Sequence, residues 1–189
     1  MKSLILMGVL TLCAPAMFSQ ATPAVHKGCS EPKTDKDIGH CDLSKSAISI
    51  PFVEDDFGGI YVAVSFGDRS FTKTAMDTGS STNSVPDVPV TEELKGAATI
   101  EVATANGSVK EIINAVPVCV FVSEKLSICQ LSVTSFAPQA PALLGNSFLR
   151  VFGKMIVNRK DKVITIQDVA KDEKVFLLLD GKLYTADGL

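Results

Sequence analysis

From position 47 onward, apolar and β-branched residues fall in short runs separated by Gly, Asn, Asp, Ser and Pro. Runs of that length, bounded by turn-forming residues, predict strands rather than helices. They read as strands at Ala47–Phe52, Ile60–Phe66, Phe71–Met76, Ala98–Ala105, Val109–Ile113, Val116–Val122, Leu126–Val133, Gly153–Asn158, Val163–Gln167, Val175–Leu179 and Lys182–Thr185. A helix has room only for one or two turns around Asn146–Val151. Two connections predict antiparallel hairpins: Gly67-Asp68-Arg69-Ser70, and Asn106-Gly107, where both residues take positive φ at little cost. The pattern is that of an all-β domain.

The first residues break this pattern. Lys2 supplies a positive start, Leu4–Leu12 an apolar run, and Ser19-Gln20-Ala21 small residues at a cleavage site, so residues 1–21 read as a secretory signal peptide. An uncleaved anchor is the alternative, although the run is short for a membrane span and Pro15 interrupts it. Export to the periplasm or the medium is expected, with no other membrane association. Residues 22–46 are polar and without hydrophobic period, an extended tail ahead of one folded domain, 47–189.

Of five cysteines, Cys13 lies in the leader, leaving Cys29, Cys41, Cys119 and Cys129. An even number in an exported chain favours disulfides. The pairing local in sequence, Cys29 with Cys41 and Cys119 with Cys129, is one of the three that four cysteines allow. Cys119 and Cys129 flank two short runs around a polar turn, where they can face each other across a hairpin. His26 and His40 crowd the first pair and raise a metal site as the alternative, but the spacing is irregular and adjacent His-Cys ligands suit tetrahedral geometry poorly.

At 189 residues, less the leader, the chain suits one well-buried domain and is short for two. A net charge of −3 with mixed signs offers no basic stripe for nucleic acid and no polybasic patch for anionic lipid.

The residues with the most specific chemistry follow the run Phe71–Met76: Asp77-Thr78-Gly79-Ser80-Ser81. An aspartate at the mouth of a tight turn suits carboxylate chemistry, in which one carboxylate deprotonates a water while another donates a proton. A second Asp-Thr-Gly or Asp-Ser-Gly does not occur; Asp180-Gly181 and Asp187-Gly188 lack the intervening hydroxyl residue. A second aspartate of this kind must come from a second chain, or this chemistry does not occur.

The order of parts, a hairpin ending in Asp77-Thr78-Gly79-Ser80-Ser81, a hairpin tipped by Asn106-Gly107, then Leu143-Leu144-Gly145-Asn146-Ser147-Phe148-Leu149, resembles the retropepsin-like aspartic proteases over about 60–167. These are single-domain relatives of retroviral proteases found in bacteria. The resemblance implies a closed acid-protease (retropepsin-like) β-barrel with one short helix, and an endopeptidase acting on peptide or protein substrates as a homodimer, without metal or cofactor. It makes Asp77 the catalytic carboxylate and has Thr78 bond across the dimer axis. Gly79 would let the backbone come close, and Ser80 or Ser81 would donate to the outer carboxylate oxygen. The hairpin with Asn106 and Gly107 would be a flap closing over the peptide. Leu143, Leu144 and Gly145 would pack behind the active-site turn. The flap lacks the glycine-rich tip of retroviral members and the aromatic of pepsin-like enzymes, and the Cys119–Cys129 bridge is no part of the family motif. The second reading is a protein of this fold, in the periplasm or cell envelope, that binds a partner without cutting it.

Other motifs fail on context. Asp56-Phe57-Gly58 copies a kinase tripeptide in a chain with no other kinase element. The only histidines, His26 and His40, lie in the tail, which argues against a Ser-His-Asp triad. Glu54, Asp55 and Asp56 read as a solvated loop face, with cation binding the alternative. Phe176–Leu179 and Leu183-Tyr184 are apolar enough for either dimer contact or core.

Overall fold

The computed structural model describes residues 28–30, 38–45, 47–67, 70–86, 98–104, 107–137 and 141–187. The expected leader, most of the tail and Asn106 lie outside them. In chain order the strands are β1 (Cys29–Ser30), β2 (Gly39–Cys41), β3 (Ile48–Pro51), β4 (Val53–Glu54), β5 (Ile60–Phe66), β6 (Thr72–Met76), β7 (Asn83–Pro86), β8 (Ala98–Thr104), β9 (Gly107–Ser123), β10 (Leu126–Ala137) and β11 (Leu143–Leu144). Helix α1 (Asn146–Leu149) follows, then β12 (Phe152–Asn158), β13 (Val163–Val169), β14 (Lys174–Leu179) and β15 (Lys182–Asp187).

Six strands close on themselves. β5 pairs with β6, β6 with β11, β11 with β7, β7 with β10, β10 with β9, and β9 again with β5. The fold is thus all-β, a closed barrel with one short helix, the architecture that the resemblance implies. Closure follows from alternation: Val62, Val64 and Phe66 of β5, Val118, Val120 and Val122 of β9, and Leu126 and Ile128 of β10 all point inward and are buried. Each such side chain contributes about 1.5–3 kcal/mol relative to leaving it in water. A second sheet, β12-β13-β3, adds the buried Ile48, Ile50, Ile164 and Ile166 to the same core. The hairpin β14–β15 extends the main sheet from β10, and β2 then β1 extend it beyond β15.

Several elements depart from the pattern. The two runs expected at Val109–Ile113 and Val116–Val122 are one strand, β9. Where they join, the Asn114 side-chain oxygen accepts the Ala115 amide (2.8 Å), and the Pro117 carbonyl accepts the Gly67 amide (2.7 Å). Gly107 stands in the ladder opposite Thr104 rather than in a turn, because the register runs unbroken from Ala98↔Ile113 to Thr104↔Gly107. The strands β4, β7 and β11 are too short or too polar to signal themselves. Part of the polar N-terminal segment is also integrated: β2 pairs with β15, and Cys41 and Leu43 enter the core.

Cys29 is bonded to Cys41 and Cys119 to Cys129. Each pair is a direct cross-strand pair, in β1–β2 and β9–β10 respectively. Bonded to each other, Cys29 and Cys41 are not thiolate ligands. Leu177, Leu179 and Tyr184 are core, while Leu178 and Leu183 face outward.

Candidate functional site

Strand β6 delivers Asp77 to the end of the barrel wall, and β11 fixes it there. The two strands run parallel, with Leu143 beside Ala75 and Leu144 beside Met76. The ladder continues past the last paired residue: the Ala75 amide donates to Ala142 O (3.1 Å) and the Asp77 amide to Leu144 O (3.0 Å). The backbone of the aspartate is therefore anchored on the Leu143-Leu144-Gly145 segment, and the residue as a whole is half-buried.

The turn after Asp77 closes on itself. The Gly79 amide donates to Asp77 Oδ1 (2.8 Å), and the Ser80 amide donates to Asp77 O (3.3 Å). A Cβ on Gly79 would lie 3.1 Å from that same carboxylate oxygen, so the glycine allows the backbone to approach it. Thr78 and Ser81 are exposed, and Ser80 is half-buried. The resemblance assigns Ser80 or Ser81 to the outer carboxylate oxygen, but the Ser80 hydroxyl donates instead to Thr82 O (2.7 Å). A carbonyl two residues on lies within reach of a short side chain, and the Gly79 amide supplies the donor to the carboxylate.

Helix α1 holds the far side of the turn. Its first amides, Asn146 and Ser147, donate to Ser80 O (2.9 Å) and Ser81 O (3.0 Å), and the Asn146 side chain donates to Thr78 O (2.6 Å). Gly145 makes that approach possible: a Cβ there would lie 2.1 Å from Thr82 O. Asp77-Thr78-Gly79-Ser80-Ser81 and Leu143-Leu144-Gly145 are thus brought together. Of the expected flap, the structure describes the stem β8–β9, with Gly107 in it, while Asn106 lies outside the described residues.

Sequence reasoning missed what stands beneath the turn. Asn83 is fully buried, and its side-chain oxygen accepts the Gly145 amide (3.0 Å). Its side-chain amide donates to Ser132 Oγ (3.0 Å) and Val133 O (3.2 Å), while its own backbone amide donates to Ser147 Oγ (3.1 Å). Ser135 Oγ returns a bond to Asn83 O (3.0 Å), and Ser147 Oγ donates to Val133 O (2.8 Å). Buried polar groups joined in this way specify one geometry, since each lost partner leaves a desolvated donor or acceptor. In the sequence, Ser80-Ser81-Thr82-Asn83-Ser84 reads as a solvated turn, and nothing local marks Asn83.

Two of the acidic trio, Glu54 and Asp55, are engaged within the chain. Glu54 meets both Arg159 and Lys162. Asp55 accepts the amides of Gly59 (2.7 Å) and Phe57 (3.0 Å) and the Tyr61 hydroxyl (2.9 Å). These donors, Gly59 foremost and then Tyr61, hold the Asp55 carboxyl below the usual carboxylate range. Among the described residues, no group of three or more His, Cys, Asp or Glu side chains is arranged to hold a metal ion.

No family model matches the chain. No curated protein matches it either. Among solved structures, it is similar to the crystal structure of a retropepsin-like aspartic protease from Rickettsia conorii, with a TM-score of 0.44 and 18% identity over 75% of this chain and 92% of that one.

Proposed function

We propose that the chain is one subunit of an exported aspartic endopeptidase, in which Asp77 from each of two identical subunits forms the dyad that hydrolyses a peptide bond. The observation that carries this reading is the Asp77 turn. An aspartate anchored by Leu144 O, with the Gly79 amide on its carboxylate and Asn146 on Thr78 O, is a carboxylate held in a fixed direction at the protein surface. Thr78 is exposed beside it, as a contact with a facing subunit requires.

Two carboxyl groups in contact share one proton, because like charges a few ångströms apart do not both ionise. The ionised member takes a proton from a water held between them. The hydroxide so formed adds to the peptide carbonyl carbon, and the protonated member gives its proton to the carbonyl oxygen. Collapse of the tetrahedral adduct breaks the C–N bond: the member protonated by the water gives that proton to the leaving nitrogen, and a hydroxyl proton of the adduct returns to the other member as the C=O bond re-forms. The residues of this chain supply orientation as well as charge, since a carboxylate free to rotate would lose the geometry that both transfers need. The expected leader and the two disulfides support action outside the cytoplasm.

A second reading, a binding protein of the same fold without hydrolytic activity, is favoured by one observation: the Asp77–Gly79 bond is also what a purely structural aspartate makes in a turn. Digestion of a peptide library at pH about 5 separates the two. Wild type should cleave, and Asp77→Asn should lose at least about 100-fold in rate. Equal cleavage by both proteins, or none by either, decides against hydrolysis by Asp77.

A further inference from the structure

The outer face of the β5–β6 hairpin carries a hollow that the Asp77 turn does not use. Along β5, Val62 and Val64 point into the barrel, so Tyr61 and Ala63 point out. In the ladders Ala63 stands opposite Lys73 of β6, and Tyr61 opposite Val53 of β4. On the other side β9 brings Phe121 beside Ala63, one step past Val64↔Val120. Phe121 alternates with the buried Val120 and Val122 and so faces outward as well. A single methyl group between a lysine and a phenylalanine leaves room above it. Val53, Tyr61, Ala63, Phe71, Lys73 and Phe121 line a cavity there of about 340 Å³, a volume within the range of small-ligand sites.

The walls are aromatic. Phe71 meets Phe121 edge to face with ring centroids 5.5 Å apart, yet remains 44% exposed, so apolar surface is left uncovered at this spot. The strand backbone beneath is paired in the β4–β5, β5–β6 and β5–β9 ladders. Among the described residues that line the hollow, Lys73 alone carries a charge, and its ammonium lies over the Tyr61 ring, 4.3 Å from the centroid. The Tyr61 hydroxyl is committed to Asp55 (2.9 Å), whose carboxylate also accepts the Gly59 and Phe57 amides. One cation therefore stands at the rim of an apolar hollow.

We propose that this hollow binds a small aromatic carboxylate, with its ring against Phe71, Phe121 and Tyr61 and its carboxylate on the Lys73 ammonium. Charge complementarity selects the class. A cationic ligand is repelled by Lys73, and a neutral one leaves the ammonium with only a ring face for a partner. A monoanion makes a charge-assisted hydrogen bond at the rim while its apolar part leaves water. Rings on the walls favour a flat aromatic body over a flexible chain, because edge and face contacts add to burial and no rotors are frozen. The site does not depend on the peptidase reading, since none of its residues belongs to the Asp77 turn.

Titration calorimetry of the full chain at neutral pH with naphthoate, naphthylmethanol and decanoate tests this. Naphthoate should saturate one site per chain by about 1 mM. Lys73→Met, at an exposed position, keeps an apolar stem and should keep the wild-type melting temperature. It should weaken naphthoate at least about fivefold and leave naphthylmethanol unchanged. Phe71→Ser should weaken both aromatic ligands at least about fivefold. The proposal is overturned by wild type that shows no saturation at about 1 mM, by equal naphthoate affinity in Lys73→Met, or by binding indifferent to Phe71→Ser. Decanoate binding tighter than naphthoate would make the hollow an acyl site and overturn it too.

Discussion

Asn83 and Gly145 meet beneath the candidate site: the fully buried side-chain oxygen of Asn83 accepts the Gly145 amide at 3.0 Å, from 62 residues away in sequence. This bond fixes the segment that holds the Asp77 backbone. Asn83→Leu fills a similar volume but strands the Gly145 amide and removes a donor from Ser132 Oγ, Val133 O and Thr134 Oγ1. The expected loss is about 3 kcal/mol in urea unfolding, from several desolvated groups at once. A loss under about 1 kcal/mol would mean that the cluster relaxes onto water.

Gly145→Ala and Gly67→Ala separate two uses of glycine. At Gly145 the added methyl meets backbone, Thr82 O at 2.1 Å, so Thr82 or α1 must shift. At Gly67 it meets nothing, and only the left-handed φ of +68° is strained. Gly145→Ala should cost about 3 kcal/mol and disturb the Asp77 turn. Gly67→Ala should cost about 1–2 kcal/mol and leave peptide cleavage unchanged. Denaturant melts paired with a cleavage assay check both.

Asn146→Ala removes the bond to Thr78 O while retaining the helix and its backbone bonds to the turn. In the proposed peptidase Asn146 positions the Asp77 turn, so the change should lower kcat about tenfold with KM nearly unchanged, and reduce stability by only about 1 kcal/mol. A rise in KM alone would assign it to substrate binding instead.

Acid stability follows from two surface carboxylates. Lys45 and then Ser44 hold Asp42 at about 2, and Gly59 and Tyr61 hold Asp55 below its ordinary value. Folded values below the unfolded one, about 3.9, mean that the stabilisation is complete above that pH and is lost as pH falls through the folded values. The melting temperature should therefore stay level from neutrality to pH about 5 and decline below about 4. Asp55→Asn should flatten that decline. A melting temperature already falling between pH 7 and 5 would point to other groups.

The strands most legible in the sequence were those with clean apolar alternation. Ile60–Phe66 has the bounds expected of it, because Val62, Val64 and Phe66 all point inward and Gly67 ends the run. Asp77 and Gly79 stood out because their chemistry is local: a turn, a short side chain and an amide two residues on. Asn83 was silent because its partners are not. They lie 49 residues away at Ser132, 62 at Gly145 and 64 at Ser147, within a sequence context that reads as a polar loop. Likewise, Leu143-Leu144 is a strand only because β6 and β7 flank it.

By itself, then, the sequence determined the period of burial along each run, the turns that end the runs, and the residue types at Asp77. These depend on neighbours a few positions apart, where backbone and side-chain preferences act directly. Tertiary structure alone decided which strands close the barrel, and that Ser80 turns to Thr82 rather than to Asp77. Those outcomes depend on which distant segments share a face once the chain has collapsed, and water leaves a polar group only when a partner from elsewhere in the chain takes its place.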